Sequence, residues 1–216
     1  QLRPEAQVNT AAESERLDRA WLARVRAIDP TMLDQGDRLS YDMFIAQRER
    51  SLAMARYPDW MLAVSPLGHV ASTVAQFGAG SRGQPFVTVQ DYDHWLSRGD
   101  AFVPLFDQTI VNLRAGVAAG VVLPRVLVGK TLSQFDALIK DKPEETVLWG
   151  VIARLPESFP EPDKARLTVA YRAQIGERLM PAFARLRDFL RNEYLPAARV
   201  SVGLADLPEG AAWYAE

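Results

Sequence analysis

The chain has 216 residues, of which 48% are hydrophobic and 24% charged, so it has enough apolar side chains to bury a core and is not a disordered chain. Its 25 Lys and Arg against 27 Asp and Glu give a net charge of −2, without the basic excess that nucleic-acid binding requires, so we expect no nucleic-acid partner. The absence of cysteine excludes disulfides, thiol nucleophiles and Cys-ligated metal sites.

The apolar stretches of the sequence are too short to span a membrane. The longest apolar stretch, Ala115–Pro124, is much shorter than the roughly 18 to 20 residues of a spanning helix and contains two internal glycines. We therefore expect no transmembrane segment. The chain opens on Gln1 without a signal-peptide pattern, and we interpret it as a segment of a longer protein.

The first third of the chain predicts a helical hairpin over about 5–56. In the first helix, apolar residues recur at three- to five-residue steps, with charged residues on the other face. They are Val8, Ala12, Leu17, Trp21, Val25 and Ile28. The second apolar stripe consists of Tyr41, Phe44, Ile45, Leu52 and Ala55. We expect that second helix to begin at an N-cap near Ser40 and to stop at Tyr57-Pro58.

The middle of the chain predicts an irregular segment over 58–87 and helices over about 88–140. Thr88 and Asp91 have the spacing of a capping box, which predicts a helix start. We expect Gly99 to end that helix and a second one to run from Asp100 to a left-handed cap at Gly120. A further helix follows from Pro124, and this pair of helices predicts a second hairpin.

The last third predicts a Pro-rich connection over 143–162 and a long helix over about 163–195. Pro181 should kink this helix and Pro196 should end it. The remaining 196–216 predict a truncated tail, because a new apolar element begins there and breaks off. Since no convincing alternating strand pattern occurs, we expect one all-α region over 1–216, a multi-helix array of antiparallel hairpins with one long kinked C-terminal helix.

Two features of the sequence look like parts of known functional sites but lack the surrounding elements that such sites require. Gly78–Gly83 matches G-x-G-x-x-G, but a predicted helix precedes it where a dinucleotide site needs a strand, so a surface turn is the favoured interpretation. His69 and His94 lie 25 residues apart, and neither lies in a His-Glu-x-x-His pattern. We expect both histidines to be structural and no metal ion to bind this segment.

Four polar residues interrupt the apolar turns of the central helices: Asp107, Asn112, Arg114 and Arg125. If buried, such groups must find partners. Asp107 and Arg114 are seven residues apart, so they share a helix face from which Asn112 is offset. An interhelical salt-bridge network is the favoured interpretation, and contact with a substrate is the alternative.

Several blocks of the sequence, taken in order, resemble the N-terminal portion of a known bacterial family. The blocks are Tyr57–Ser65, Asp91–Leu96, Asp107–Gly116, Gly120–Leu127, Tyr194–Arg199 and Gly203–Tyr214. The family is called domain of unknown function 885, and the resemblance covers essentially the whole chain. Its members are much longer, largely helical proteins, many of them predicted to be lipoproteins or secreted, and they are distantly similar to zinc metallopeptidases.

The resemblance implies a role for the chain, but it identifies no catalytic residue in it. The family's His- and Glu-rich metal-binding segment lies in the C-terminal half and has no counterpart here, so no catalytic or metal residue is carried over. The implied role is a non-catalytic scaffold and cleft wall of a peptide hydrolase in the bacterial cell envelope. Zinc and the catalytic helices would come from the C-terminal half of the same protein.

A second hypothesis remains open beside this one. The chain could be a self-contained helical module that binds a peptide or a partner protein in an apolar groove without catalysis. The absence of a convergent catalytic set in the sequence favours this alternative.

Overall fold

The structure, a computed structural model, describes the backbone of residues 4–216 and the side chains of residues 13–216. Val8 and Ala12 of the first predicted stripe therefore lie outside the described side chains. Within the described backbone, extended pairing is limited to two isolated bridges, Ser65 with Gly68 and Pro124 with Arg199. The all-helical prediction is confirmed.

The α-helices are α1 (Pro4–Arg26), α2 (Gln35–Met54), α3 (Val70–Gly78), α4 (Val89–Ala119), α5 (Arg125–Leu138), α6 (Glu161–Ala173), α7 (Met180–Phe189), α8 (Leu195–Ala197) and α9 (Gly210–Ala215). Short 3-10 turns span Pro30–Met32, Asp59–Leu62, Pro143–Glu145, Val147–Val151 and Leu204–Asp206. The chain divides into two compact units. The hairpin unit comprises the residues up to Asp59 together with Val202–Glu216, and the core unit comprises Trp60–Ser201.

The hairpin unit packs α1 against α2 with little full burial. Asp34 caps α2 by accepting a hydrogen bond of 2.9 Å from the Asp37 N–H, so this helix begins before the Ser40 start that we predicted. Among the described side chains of α1, from residue 13 onward, Asp18 and Leu22 are buried, whereas Leu17 and Trp21 of the predicted stripe are exposed. The sequence pattern therefore predicts that these residues form helices, but it does not predict which face of α1 is buried.

The end of the chain adds a small aromatic contact to the hairpin unit. Tyr57 stacks on Trp213 with ring centroids 5.3 Å apart, and Arg56 pairs with Glu216 at 3.0 Å. Leu207 is also buried. Residues 204–215 are therefore folded, as a 3-10 turn followed by α9.

The core unit is built around one continuous cluster of buried side chains from α3, α4, α5, the Val147–Val151 turn and the helices after residue 161. Its largest fully buried members are Tyr92, Tyr171, Tyr194, Phe106, Phe135 and Phe183. The three tyrosine hydroxyls bond to backbone groups, as buried polar atoms should. Burial raises the pKa values of these tyrosines, so they stay protonated at neutral pH.

Helix α4 runs without interruption through Gly99, and our prediction of a helix end there is wrong. A side chain at this position would collide with Gln174, whose Nε2 would lie 2.1 Å from the added Cβ. Gln174 instead reaches across and donates to the Leu96 carbonyl at 2.7 Å. The absence of a side chain at Gly99 leaves the space that the Gln174 side chain occupies. The predicted capping box at Thr88 and the left-handed cap at Gly120, with φ of +71°, are both present.

The long C-terminal helix is one helical run from Glu161 to Ala197 that contains two π-helical segments, Gln174–Leu179 and Leu190–Tyr194. Each π segment ends two residues before a proline, Pro181 and Pro196 respectively. Proline has no N–H for the carbonyl four residues earlier, and a wider turn accommodates this defect without ending the helix. Helix α4 packs chiefly against this run, whereas α5 packs against α3 and α7, so the pairing differs from the hairpin of α4 and α5 that we expected.

Candidate functional site

Four ion pairs connect α4 to the long C-terminal helical run. They are Asp93–Arg166 (2.7 Å), Asp100–Arg178 (3.2 Å), Asp107–Arg185 (3.0 Å) and Arg114–Glu193 (2.7 Å). Their α4 members are spaced by seven residues, or about two helical turns, so they form one row along the helix. The first three pairs have the acid on α4, and the fourth reverses the polarity.

A groove of about 530 Å³ lies where the polarity reverses. Its lining residues are Asp107, Ile110, Val111 and Arg114 of α4, and Arg185, Asp188, Phe189, Asn192 and Glu193 of α7 and the π segment after it. We call it the α4–α7 groove. The four α4 residues follow the spacing of one helix face. Two ion pairs of opposite polarity thus lie around the largely buried side chains of Ile110 and Phe189.

The Arg114–Glu193 pair is held in a fixed geometry. Arg114 donates from Nε and Nη2 to the two oxygens of Glu193, at 2.9 and 2.7 Å, and its guanidinium carbon lies 5.1 Å from the centre of the Phe189 ring. This hydrogen bonding lowers the pKa of the Glu193 carboxyl and raises that of Arg114. Both groups are therefore charged at neutral pH, which suits recognition of polar groups better than proton transfer.

The four residues that the sequence singled out are divided between three places. Asp107 and Arg114 both line the α4–α7 groove. Asn112 is buried on another face of α4, where its side-chain oxygen accepts from Gln108 Nε2 at 2.9 Å. Arg125 is exposed at the start of α5, and its backbone N–H donates to the Arg199 carbonyl at 2.7 Å.

Sequence reasoning did not single out the residues that the second helix contributes to the groove. Arg185, Phe189 and Glu193 lie more than 70 positions from their partners on α4, so no local pattern connects them. One available signal was the repetition of ionisable residues at 93, 100, 107 and 114. This seven-residue repeat places the four ionisable side chains on one face of α4, where a neighbouring helix could pair with them.

His69 is a structural residue in the described fold. It is the N-cap of α3, where Nδ1 accepts from the Ser72 N–H at 3.2 Å, so the ring proton lies on Nε2 and is donated to Gln134 Oε1 at 3.0 Å. The ring also stacks on Phe135. Burial lowers the pKa of His69, which favours the neutral ring that this bonding pattern requires.

Among the side chains of residues 13–216, no group of three or more His, Asp or Glu is arranged to hold a metal ion. These residues therefore do not fit the zinc ion that the family resemblance implies for the longer protein. A search of the same described range also found no helix with the length and hydrophobicity needed to cross a bilayer.

The fold and the groove define an all-helical protein with a charge-lined surface cleft. Residues 3–216 match the family described as bacterial protein of unknown function (DUF885), and the chain belongs to this family. No curated protein matches the chain.

A crystal structure with a similar fold is that of a protein from Colwellia psychrerythraea described as a "putative lipoprotein". The two share 17% sequence identity with a TM-score of 0.78 over 98% of this chain, which shows a common fold. This chain spans 37% of the length of the Colwellia protein.

Proposed function

We propose that this chain is the non-catalytic N-terminal scaffold of a zinc-metallopeptidase-like hydrolase that acts on peptides, and that the α4–α7 groove is the part of its cleft wall that contacts the substrate. The observation that carries the proposal is the arrangement of two oppositely oriented ion pairs around an apolar floor. An extended peptide offers N–H donors and carbonyl acceptors in alternation, with side chains between them.

The ion pairs of the groove leave several of their polar atoms available for hydrogen bonds to such a ligand. Asp107 accepts both bonds from Arg185 on a single oxygen, Oδ1, which leaves Oδ2 available to an incoming N–H. Each guanidinium carries five N–H donors, and the pairs described above use only two of them on Arg114 and two on Arg185. A volume of about 530 Å³ is within the usual range of ligand sites.

The catalytic part of the proposed hydrolase would be the C-terminal half of the same protein. Family membership and the 37% coverage of the Colwellia structure support a longer protein, in which a bound zinc ion would supply the attacking water. The description of that neighbour as a lipoprotein supports a location in the bacterial cell envelope.

The test starts from the protein as its native cell makes it. We expect its intact mass to exceed that of 216 residues and the protein to hydrolyse peptides only with zinc bound, whereas the 216-residue chain alone hydrolyses none. In the native protein, Arg185→Ala should raise KM about tenfold at unchanged kcat, because it removes binding shared by ground and transition states.

The matched control is Arg166→Ala, which breaks the Asp93 pair in the same row outside the groove. It should leave KM unchanged. A native protein without peptidase activity, or equal kinetic effects of the two variants, would contradict the proposal.

The binding-module hypothesis keeps one observation in its favour, since the groove is formed entirely by residues of the core unit. If the 216-residue chain alone binds peptides saturably, if Arg185→Ala abolishes that binding, and if the native protein hydrolyses nothing, the module is the correct function.

A further inference from the structure

A second, smaller pocket lies on the core unit, next to the Gly-rich loop that follows α3. It has a volume of about 250 Å³ and lies between the Ala79–Gln84 loop and the Val147–Val151 turn. Gly80 and Gly83 of the loop adopt left-handed conformations, with φ of +72° and +66°. The loop thus turns tightly, and Gly80 lies against Phe86 in the lining of the pocket.

The side chains of Arg154 and Gln84 bring hydrogen-bond donors to this pocket, and none of its lining residues is acidic. Arg154 is an exposed residue that lines the pocket, and it takes part in none of the ion pairs between the described side chains. Arg98 and Arg82, which flank the loop, bond to the neutral side-chain oxygens of Gln84 and Gln76 respectively. In these two bonds Arg98 and Arg82 therefore meet neutral oxygens and not carboxylates.

Gln84 is positioned as a second donor beside Arg154. Only 9% of this residue is exposed, and Arg98 fixes its orientation by donating to Oε1. One N–H of its Nε2 donates to the Pro85 carbonyl at 2.8 Å, which leaves the other N–H of the amide for a ligand. The Tyr92 hydroxyl, also in the lining, makes a longer bond of 3.3 Å to the Val151 carbonyl.

Asp91, which precedes Tyr92 in the sequence, accepts hydrogen bonds at the start of its own helix. Asp91 Oδ2 accepts from the Val87 N–H at 3.1 Å, the Thr88 N–H at 2.8 Å and the Thr88 hydroxyl at 2.9 Å, because it forms the capping box of α4. These bonds lower the pKa of the Asp91 carboxyl, so Asp91 keeps its negative charge. Charges of both signs act at the pocket, because the pKa of Tyr92 is raised by burial, lowered by the Arg154 charge and raised by the Asp91 charge.

We propose that this pocket binds one small oxyanion, a carboxylate or a phosphate group, between the Arg154 guanidinium and the Gln84 side-chain amide. Both anions present two or more oxygens to a planar guanidinium, which can donate to them in parallel. The pocket volume of about 250 Å³ has room for a group of this size. The inference is independent of the proposed peptidase role, because none of these residues lines the α4–α7 groove.

The test is an NMR titration of the labelled chain with inorganic phosphate and, separately, with acetate, at an ionic strength held constant with chloride. We expect saturable shifts of the Gly80 backbone amide and the Gln84 side-chain amide with at least one of the two anions. The anion that saturates identifies the source, a phosphate or a carboxylate. In Arg154→Gln, binding should weaken about tenfold or more, because one charge-assisted contact is lost.

Two further variants test whether anion binding depends on the guanidinium group of Arg154. Arg125→Gln removes an exposed arginine outside the pocket and should bind like the parent chain. Arg154→Lys should bind with intermediate affinity, because the charge remains but the planar fork does not. The proposal is overturned if neither anion gives saturable shifts, if chloride alone reproduces them, or if Arg154→Gln and Arg125→Gln respond alike.

Discussion

The two units of the molecule use apolar residues of the same kinds in opposite ways. In the core unit, apolar side chains of α3, α4, α5, α6 and α7 join one buried cluster. In the hairpin unit, α2 buries no residue completely, and Leu39 and Met43 remain exposed. Both regions are helical, but the continuous cluster of buried side chains lies in the core unit.

This difference shows that helix formation and core formation are separate consequences of a sequence. The apolar spacing in α1 and α2 is sufficient to specify helices, yet full burial requires additional surfaces that face them. In the core unit, α3 and the long C-terminal run supply those surfaces to α4. The stability of the protein should therefore depend mainly on the core unit, and the predictions below test that difference.

The largest effect is expected from Leu186→Ala, in a side chain with no exposed surface. Truncation there leaves a cavity in the centre of the cluster and should lower the free energy of unfolding by about 2–5 kcal/mol. Urea unfolding followed by circular dichroism measures this loss. Leu186→Met, which keeps the volume, should cost less than about 1.5 kcal/mol. Equal losses for both variants would show that the site is loosely packed.

The next largest effect concerns two glycines within helices of the core unit. A Cβ on Gly116 would lie 2.6 Å from the Val121 carbonyl oxygen and 3.0 Å from that of Met61, and neither backbone atom can move aside easily. Gly116→Ala should therefore destabilise the chain by about 1–3 kcal/mol.

Gly129→Ala is the matched control, because a Cβ there has no neighbour within 4 Å. It should stabilise the chain by about 0.5–1 kcal/mol through reduced freedom of the unfolded state. Thermal unfolding of both variants measures the contrast, and a change of the same sign in the two would contradict the described packing of α4.

Local signals in the sequence were sufficient where the cause of a feature is local. The capping box at Thr88 and the left-handed cap at Gly120 depend on residues within one turn, and both are present. Gly99 carries the same local signal as a helix end, but its small size serves contact with Gln174, which is 75 positions away. The pattern within one helix cannot distinguish a glycine that ends the helix from a glycine that makes room for a distant side chain.

The candidate site shows the same limit of sequence reasoning. Asp107 and Arg114 were recognisable because they interrupt an apolar pattern on one helix face. Their partners Arg185 and Glu193 lie on a helix whose register is altered by π segments before Pro181 and Pro196. These segments shift which residues face α4, so the lining of the groove depends on packing that the sequence does not display.

A smaller effect is expected from the titration of His69. Because burial lowers the pKa of this residue in the folded state, the unfolded chain takes up the proton first as the pH falls through about 6.5. Stability should therefore decrease on acidification in this range, and His69→Asn, which can still cap α3, should remove that part of the dependence. Urea midpoints measured between neutral and mildly acidic pH provide the comparison.

The control for this titration is the exposed residue His94. His94→Asn should retain the decrease seen in the parent chain. If instead His69→Asn retains it, the buried ring is not the group responsible.

The smallest effect is expected in the hairpin unit, from Leu39→Ala on α2. This leucine is 62% exposed, so its truncation removes little buried surface and replaces it with a better helix former. The free energy of unfolding should change by less than about 0.5 kcal/mol, as is usual for surface positions. Urea unfolding, as used for Leu186→Ala, gives a direct comparison of two leucines in two helices. A loss of more than about 1.5 kcal/mol would mean that Leu39 is buried in solution, and the contrast between the two units would then not hold.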